Sequence, residues 1–151
     1  MKTKDLEVAI YKWVRRYYGL SCLEVTMPEG DRVDMLTYRK RNDTFECYEF
    51  KVSKSDLHSK CALTFAGDKN YICVPDILVE DAFRTVPEYV GVVSVSDDLY
   101  CSVKRKAKRI EPKSHSILMF CLMRSLQYRY DSNALFIRRV HDLPTDADSE
   151  E

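Results

Sequence analysis

Between Lys4 and Tyr18, apolar residues recur at Leu6, Ile10, Trp13, Val14 and Tyr17, the spacing of one buried helical face. Gly19 follows as a C-terminal stop. The pattern then switches period. Leu20 to Met27, Arg32 to Tyr38 and Thr44 to Val52 are rich in β-branched and aromatic residues, which predicts three strands. Pro28-Glu29-Gly30-Asp31 forms a turn between the first two. The wholly polar Arg39-Lys40-Arg41-Asn42-Asp43 joins the second and third, so that pair reads as an antiparallel hairpin. Ser53 to Ala66 opens on serine and aspartate, good N-terminal caps, and predicts a helix interrupted near Gly67. Further on, Asn70 to Pro75 predicts a buried strand, Ile77 to Arg84 a helix, and Val90 to Val95 another strand. Leu99 to Lys104 pairs with the last through Ser96-Asp97-Asp98, and Ser114 to Tyr128 forms a strongly apolar closing helix. The order predicts an α/β fold with a mixed sheet flanked by helices.

Candidate chemistry sits on the predicted hairpin. Val33-Asp34 is followed fifteen residues after the aspartate by Glu49-Phe50-Lys51. Residues at i and i+2 share a strand face, so Glu49 and Lys51 point one way and Tyr48, Phe50 and Val52 the other, against the core. A short hairpin places Asp34 across from Glu49–Lys51. Two carboxylates bind a hard divalent cation through oxygen, and a lysine beside them acts as a point charge on phosphate or water. The same letters also occur in solvated cross-strand pairs of little energetic weight. An ordinary α/β interaction protein carrying such a string by chance predicts that Asp34 and Glu49 lie far apart.

The motifs that decide between these are Glu7 on the first helix, GDRVDML at Gly30 to Leu36, YEFKVSKSDL at Tyr48 to Leu57 and GDKNYICVP at Gly67 to Pro75. With them the chain resembles the PD-(D/E)XK nuclease superfamily, closest in look to its MmcB-like DNA-repair group and related phage and bacterial proteins. The resemblance spans more than half the chain. It implies a restriction-endonuclease-like αβββαβ core and a deoxyribonuclease using Mg²⁺ or Mn²⁺ in repair, recombination or phage DNA processing. Carried over by position, Asp34 and Glu49 are metal ligands, Lys51 is the catalytic lysine and the Phe50 carbonyl is a further oxygen ligand. Glu7 matches the first-helix acid that reaches the metal in some branches. Ser53, Ser55 and Asp56 match a motif of close relatives; Asp56 is equally a helix cap or surface charge. Val33 replaces the proline of the motif, which is not a ligand. The second reading is a catalytically silent module of the same fold that binds DNA or a protein partner.

Composition adjusts this picture in a few places. The 151 residues predict one domain over 1–140 and an acidic, disordered tail over 141–151. Formal net charge is zero, but the tail holds five of the 24 acids and no Lys or Arg, leaving 24 basic against 19 acidic residues in the body. Lys104, Arg105, Lys106, Lys108 and Arg109 form the sharpest basic cluster, and with Ser53 and Lys54 they are the candidate DNA contacts. Arg39-Lys40-Arg41 and Arg15-Arg16 are smaller clusters. Six cysteines stand singly without a CxxC pair, which argues against a zinc site and for reduced, buried thiols. His58, His115 and His141 are far apart, with His58 near the predicted site. No apolar run is long enough to cross a bilayer, so a cytoplasmic protein is expected, with DNA as partner and a homodimer or larger assembly as its setting.

Overall fold

The computed structural model describes residues 1–16, 19–59 and 63–141, the last seven as helical backbone only. Its elements are α1 (Thr3–Arg15), β1 (Leu20–Thr26), β2 (Arg32–Arg39), β3 (Thr44–Phe50), α2 (Lys54–Leu57), β4 (Lys69–Pro75), α3 (Val79–Thr85), β5 (Gly91–Val95), β6 (Cys101–Arg105) and α4 (His115–His141). The first six follow the expected αβββαβ order. One six-stranded sheet runs β1-β2-β3-β4-β5-β6, each strand beside its sequence neighbour. β1, β2 and β3 form an antiparallel meander, β3, β4 and β5 are parallel, and β6 returns antiparallel on β5. The sheet is mixed and flanked by helices on both faces.

Alternation along β3 divides the core. Tyr48 and Phe50 pack with Met35, Cys73, Val93 and Val95 under Leu6, Ala9, Ile10 and Val14 of α1. Phe45 and Cys47 point to the other face, with Leu36 and Val25, under Leu118, Cys121 and Leu122 of α4. On that same second face Ile72 and Val74 of β4 pack under Leu78, Val79 and Ala82 at the start of α3. α4 thus covers the β1–β2 side and α3 the β4–β5 side. A seam between the two helices falls over β3, the strand that is buried at all seven positions.

Three departures from the sequence reading have local causes. Of the helix expected over Ser53 to Ala66, the described residues form a single turn, Lys54–Leu57, and Lys60 to Ala62 lie outside the described residues. Leu63 and Phe65 pack toward the α3 cluster and Ala66 toward the α4 cluster, so residues 63–66 cross the seam without regular secondary structure. It then passes so close to β3 that a Cβ on Gly67 would meet the Phe45 carbonyl at 2.8 Å. α4 continues past Tyr128 to His141, about 40 Å at 1.5 Å per residue. The β5–β6 turn takes in Leu99 and Tyr100, with Leu99 at φ +61, so β6 begins at Cys101. Tyr17 of the expected first helix and the acidic tail beyond His141 lie outside the described residues.

β1 is an edge strand with a defect. Glu24 adopts φ +53, and the β1–β2 ladder runs to Leu23↔Met35 and resumes at Val25↔Val33, leaving Glu24 and Asp34 out of it. Arg124 and Arg129 of α4 donate to the Thr26 and Leu23 carbonyls at 2.8 Å each. Five cysteines are free and buried; Cys61 lies outside the described residues. No helix among the described residues is long and apolar enough to cross a membrane.

Candidate metal and phosphodiester site

Asp34 enters the site because β2 and β3 separate beside it. Their ladder ends at Met35↔Tyr48, so in register Asp34 stands opposite Glu49. There its carboxylate replaces a strand partner: Oδ2 accepts the Phe50 N–H at 2.7 Å. On the other side of β3, the Lys51 N–H donates to the Cys73 carbonyl at 3.0 Å. Amide directions alternate along a strand, so the Phe50 carbonyl points to the same side as its N–H, toward Asp34.

Glu49 is 4% exposed and lies in the seam. Its Oε1 accepts the Thr64 N–H at 3.3 Å, which fixes the crossing segment over it and explains why that segment is not helical. Burial, followed by the neighbouring Asp34 carboxyl, pushes Glu49 up to about 8; the Thr64 N–H and Lys51 only partly oppose this. At neutral pH Glu49 is therefore largely protonated. Lys51 is 8% exposed. Its ammonium donates to Asp56 Oδ1 at 3.3 Å, while Asp56 Oδ2 accepts the Val52 N–H. The Asp56 N–H is in turn capped by Ser53 Oγ at 3.1 Å.

The donor set suits a small hard cation. Two carboxylates and one main-chain carbonyl lie together where β2 and β3 separate, and Mg²⁺ is commonly held by one or two carboxylates plus water and substrate phosphate. The Thr64 hydroxyl, buried and without a hydrogen-bond partner among the described residues, belongs to the residue whose amide holds Glu49. Glu7 is not part of the set. It is half-buried on α1, which covers the Tyr48–Phe50 face while Asp34 and Glu49 face the other way. No group of three or more His, Cys, Asp or Glu side chains among the described residues is placed to hold a metal.

The remaining candidates divide. Ser53 caps α2, and Lys54 pairs with Asp81 at 3.0 Å. Lys104 and Arg105 end β6, three strands from β3, or roughly 14 Å at strand spacing. Arg105 is spent on structure: it donates to the Val90 and Pro87 carbonyls and lies over the Phe83 ring. Arg109 binds Asp68 Oδ1 at 2.9 Å, at the start of β4 and away from the site. Lys108 pairs with Glu88, while Lys104 and Lys106 are exposed. The basic run is therefore not one phosphate-facing patch beside Glu49. His58 caps the end of α2; His115 lies with Asp68 and Asp43 at the far end of the sheet.

Asp56 as the partner of Lys51 was open in the sequence, where the SxSD string after Lys51 supplies the signal. Asp68 carried no readable signal. No protein-family model and no curated protein matches the chain. Among solved structures, the SPO1766 protein of unknown function from Silicibacter pomeroyi is similar at a TM-score of 0.67, with 15% identity over 98% of both chains. That similarity supports the α/β fold and leaves activity to the site itself.

Proposed function

We propose that the protein is a divalent-metal-dependent nuclease that hydrolyses DNA phosphodiesters. The observation that carries the reading is the Asp34–Glu49 pair: two carboxyls side by side where β2 and β3 separate, Asp34 held by the Phe50 N–H and Glu49 by the Thr64 N–H, with Glu49 pushed up by burial and by Asp34. A string that arose by chance has no reason to converge in this way. Asp34, Glu49 and the Phe50 carbonyl would hold Mg²⁺ or Mn²⁺, which supplies Lewis-acid polarisation of the phosphate and a water of lowered pKa. Binding of the cation would release the proton that Glu49 carries. Thr64 keeps Glu49 in position through its N–H. Lys51 presents its ammonium to the charge that grows on phosphorus oxygens as water adds and the P–O bond breaks. Asp56 holds that ammonium in place until phosphate competes for it.

A silent, binding-only module is the second reading, favoured by the burial of both Glu49 and Lys51. Incubation with Mn²⁺ and single-stranded, duplex and branched DNAs, beside Glu49→Ala, separates the two. Metal-dependent cleavage lost by at least about 100-fold in the variant is expected, the scale seen when one stabilising group is removed. Equal cleavage by both proteins removes the assignment; cleavage by neither favours the silent module.

A further inference from the structure

A second opening lies on the other face of the sheet, between α1 and the β5–β6 turn. It is a pocket of ≈ 270 Å³ lined by Val8, Lys12, Trp13, Arg16, Tyr100 and Cys101, among others. Three observations mark it as built to hold something. Lys12 and Arg16 are exposed, and neither has an acidic partner among the described residues, so positive charge is concentrated at its mouth. Trp13 is half-buried against the α1 core and Tyr100 is 72% exposed, giving one aromatic in the wall and one at the lip. The lip is also rigid. Leu99 is held at φ +61, a conformation unfavourable for a leucine. Three hydrogen bonds fix the turn: Ser96 N–H to the Tyr100 carbonyl at 3.0 Å, Leu99 N–H to the Ser96 carbonyl at 2.9 Å and Tyr100 N–H to Ser96 Oγ at 3.2 Å. The turn backbone thus fixes where the exposed Tyr100 leaves the chain, at the lip of the pocket.

We propose that this pocket binds one unpaired nucleotide of a single strand, its base stacked on Trp13 and Tyr100 and its phosphate neutralised by Lys12 and Arg16. Stacking platforms beside paired cations are how proteins hold single strands without reading sequence. A duplex cannot present a base face to such a pocket without unstacking. Sheet register ties the pocket to the carboxylate site. Cys101 pairs with Val95, Val95 lies beside Pro75, and Pro75 lies two residues beyond the Cys73 that neighbours Phe50. The pocket and the carboxylate site therefore sit at the same end of the parallel strands on opposite faces of the sheet, with Cys101 three strands from Phe50, roughly 14 Å along the sheet. One strand passing around that end reaches both. Binding rests on the pocket's own chemistry; the role in presenting a strand for cleavage rests on the proposed function.

Trp13 is the chain's single tryptophan, so its fluorescence reports occupancy directly. The test titrates a ten-nucleotide oligothymidylate into the full chain in EDTA at low salt, where no cleavage occurs, beside thymidine 5′-monophosphate and a duplex. Saturable quenching by the oligonucleotide is expected, weaker with the other two and weakened by added salt. Tyr100→Ala should lower affinity roughly tenfold or more; Arg16→Ala should lower it and flatten the salt dependence. Circular dichroism of both variants checks the fold, which exposed side chains should not disturb. No quenching, or affinity unchanged in both folded variants, overturns the proposal. Equal affinity for the mononucleotide overturns its single-strand form. Cleavage assays are scored separately: binding without cleavage refutes only the nuclease, and cleavage without Trp13 quenching refutes only the pocket.

Discussion

Two buried carboxylates stand at opposite ends of the β3 region and end in opposite states. Asp68, 1% exposed, is pushed up by burial, but the Phe45 N–H, His115 and Arg109 outweigh that and leave it below the usual carboxylate range. Its oxygens accept the Phe45 N–H at 2.8 Å, bind His115 Nε2 at 2.8 Å and bind Arg109 at 2.9 Å. Glu49 is buried to a similar degree, yet it receives one N–H and faces another carboxyl. Burial is common to both, so the partners decide the state. Asp68 is a finished joint that ties β3, β4 and the start of α4 together. Glu49 is buried without a compensating positive charge in hydrogen-bond contact, which fits the cation proposed for it.

The comparison breaks most readily at Asp68. Asp68→Ala strips the acceptor from a buried amide and leaves Arg109 and His115 without their partner, and should destabilise the fold by about 2–4 kcal/mol. Glu49→Gln should not destabilise the protein at pH 7 and should stabilise it, since glutamine avoids the cost of protonating a carboxylate that is ionised in the unfolded chain. Urea denaturation of both variants checks this; equal losses would mean that Glu49 is also a structural joint.

Acidity sharpens the contrast next. Glu49 is raised in the fold, so its stabilising contribution is full below the ordinary glutamate range and declines as pH rises toward about 8. Asp68 is lowered, so its contribution is present above the ordinary aspartate range and is lost as pH falls through its folded value. Thermal melts of the metal-free protein should show both limbs. Glu49→Gln should remove the decline toward pH 8, and Mn²⁺ should raise the melting temperature more at pH 8 than at pH 5.5, because binding displaces a proton. A Mn²⁺ effect that is equal at both values would count against a proton-for-metal exchange.

The smallest effect belongs to Asp56. Its pair with Lys51 is partly exposed, so Asp56→Ala should cost about 1 kcal/mol or less in the same denaturation experiment. Cleavage should fall less than in Lys51→Ala, because the ammonium remains but is no longer held.

The hairpin site was the most legible part of the chain. Period-two alternation, a polar turn and a fifteen-residue spacing are local signals, and they put Asp34 across from Glu49–Lys51, where its carboxylate accepts the Phe50 N–H. The single-turn α2 was not legible. Ser53 is a good cap, but the following residues are drawn out by packing on two different helices, and that is tertiary information. Glu7 fits the helical pattern, whereas its side of the sheet follows from which face α1 covers. The basic run shows the same limit: charge is visible in the letters, but Arg105 bonding to main-chain carbonyls and Arg109 bonding to Asp68 are visible only when strands far apart in sequence have met.

The two arginines of α4 on β1 have a colloidal consequence. A sheet edge with free carbonyls is a template on which another chain can add a strand, and proteins usually deter this with charges or kinks in the edge strand itself. Here Arg124 and Arg129 occupy the Thr26 and Leu23 acceptors, and the kink at Glu24 interrupts the edge between them. Resistance to open-ended strand addition is thereby delegated to arginines 98 and 106 residues away in the chain, and it lasts only as long as their helix stays docked.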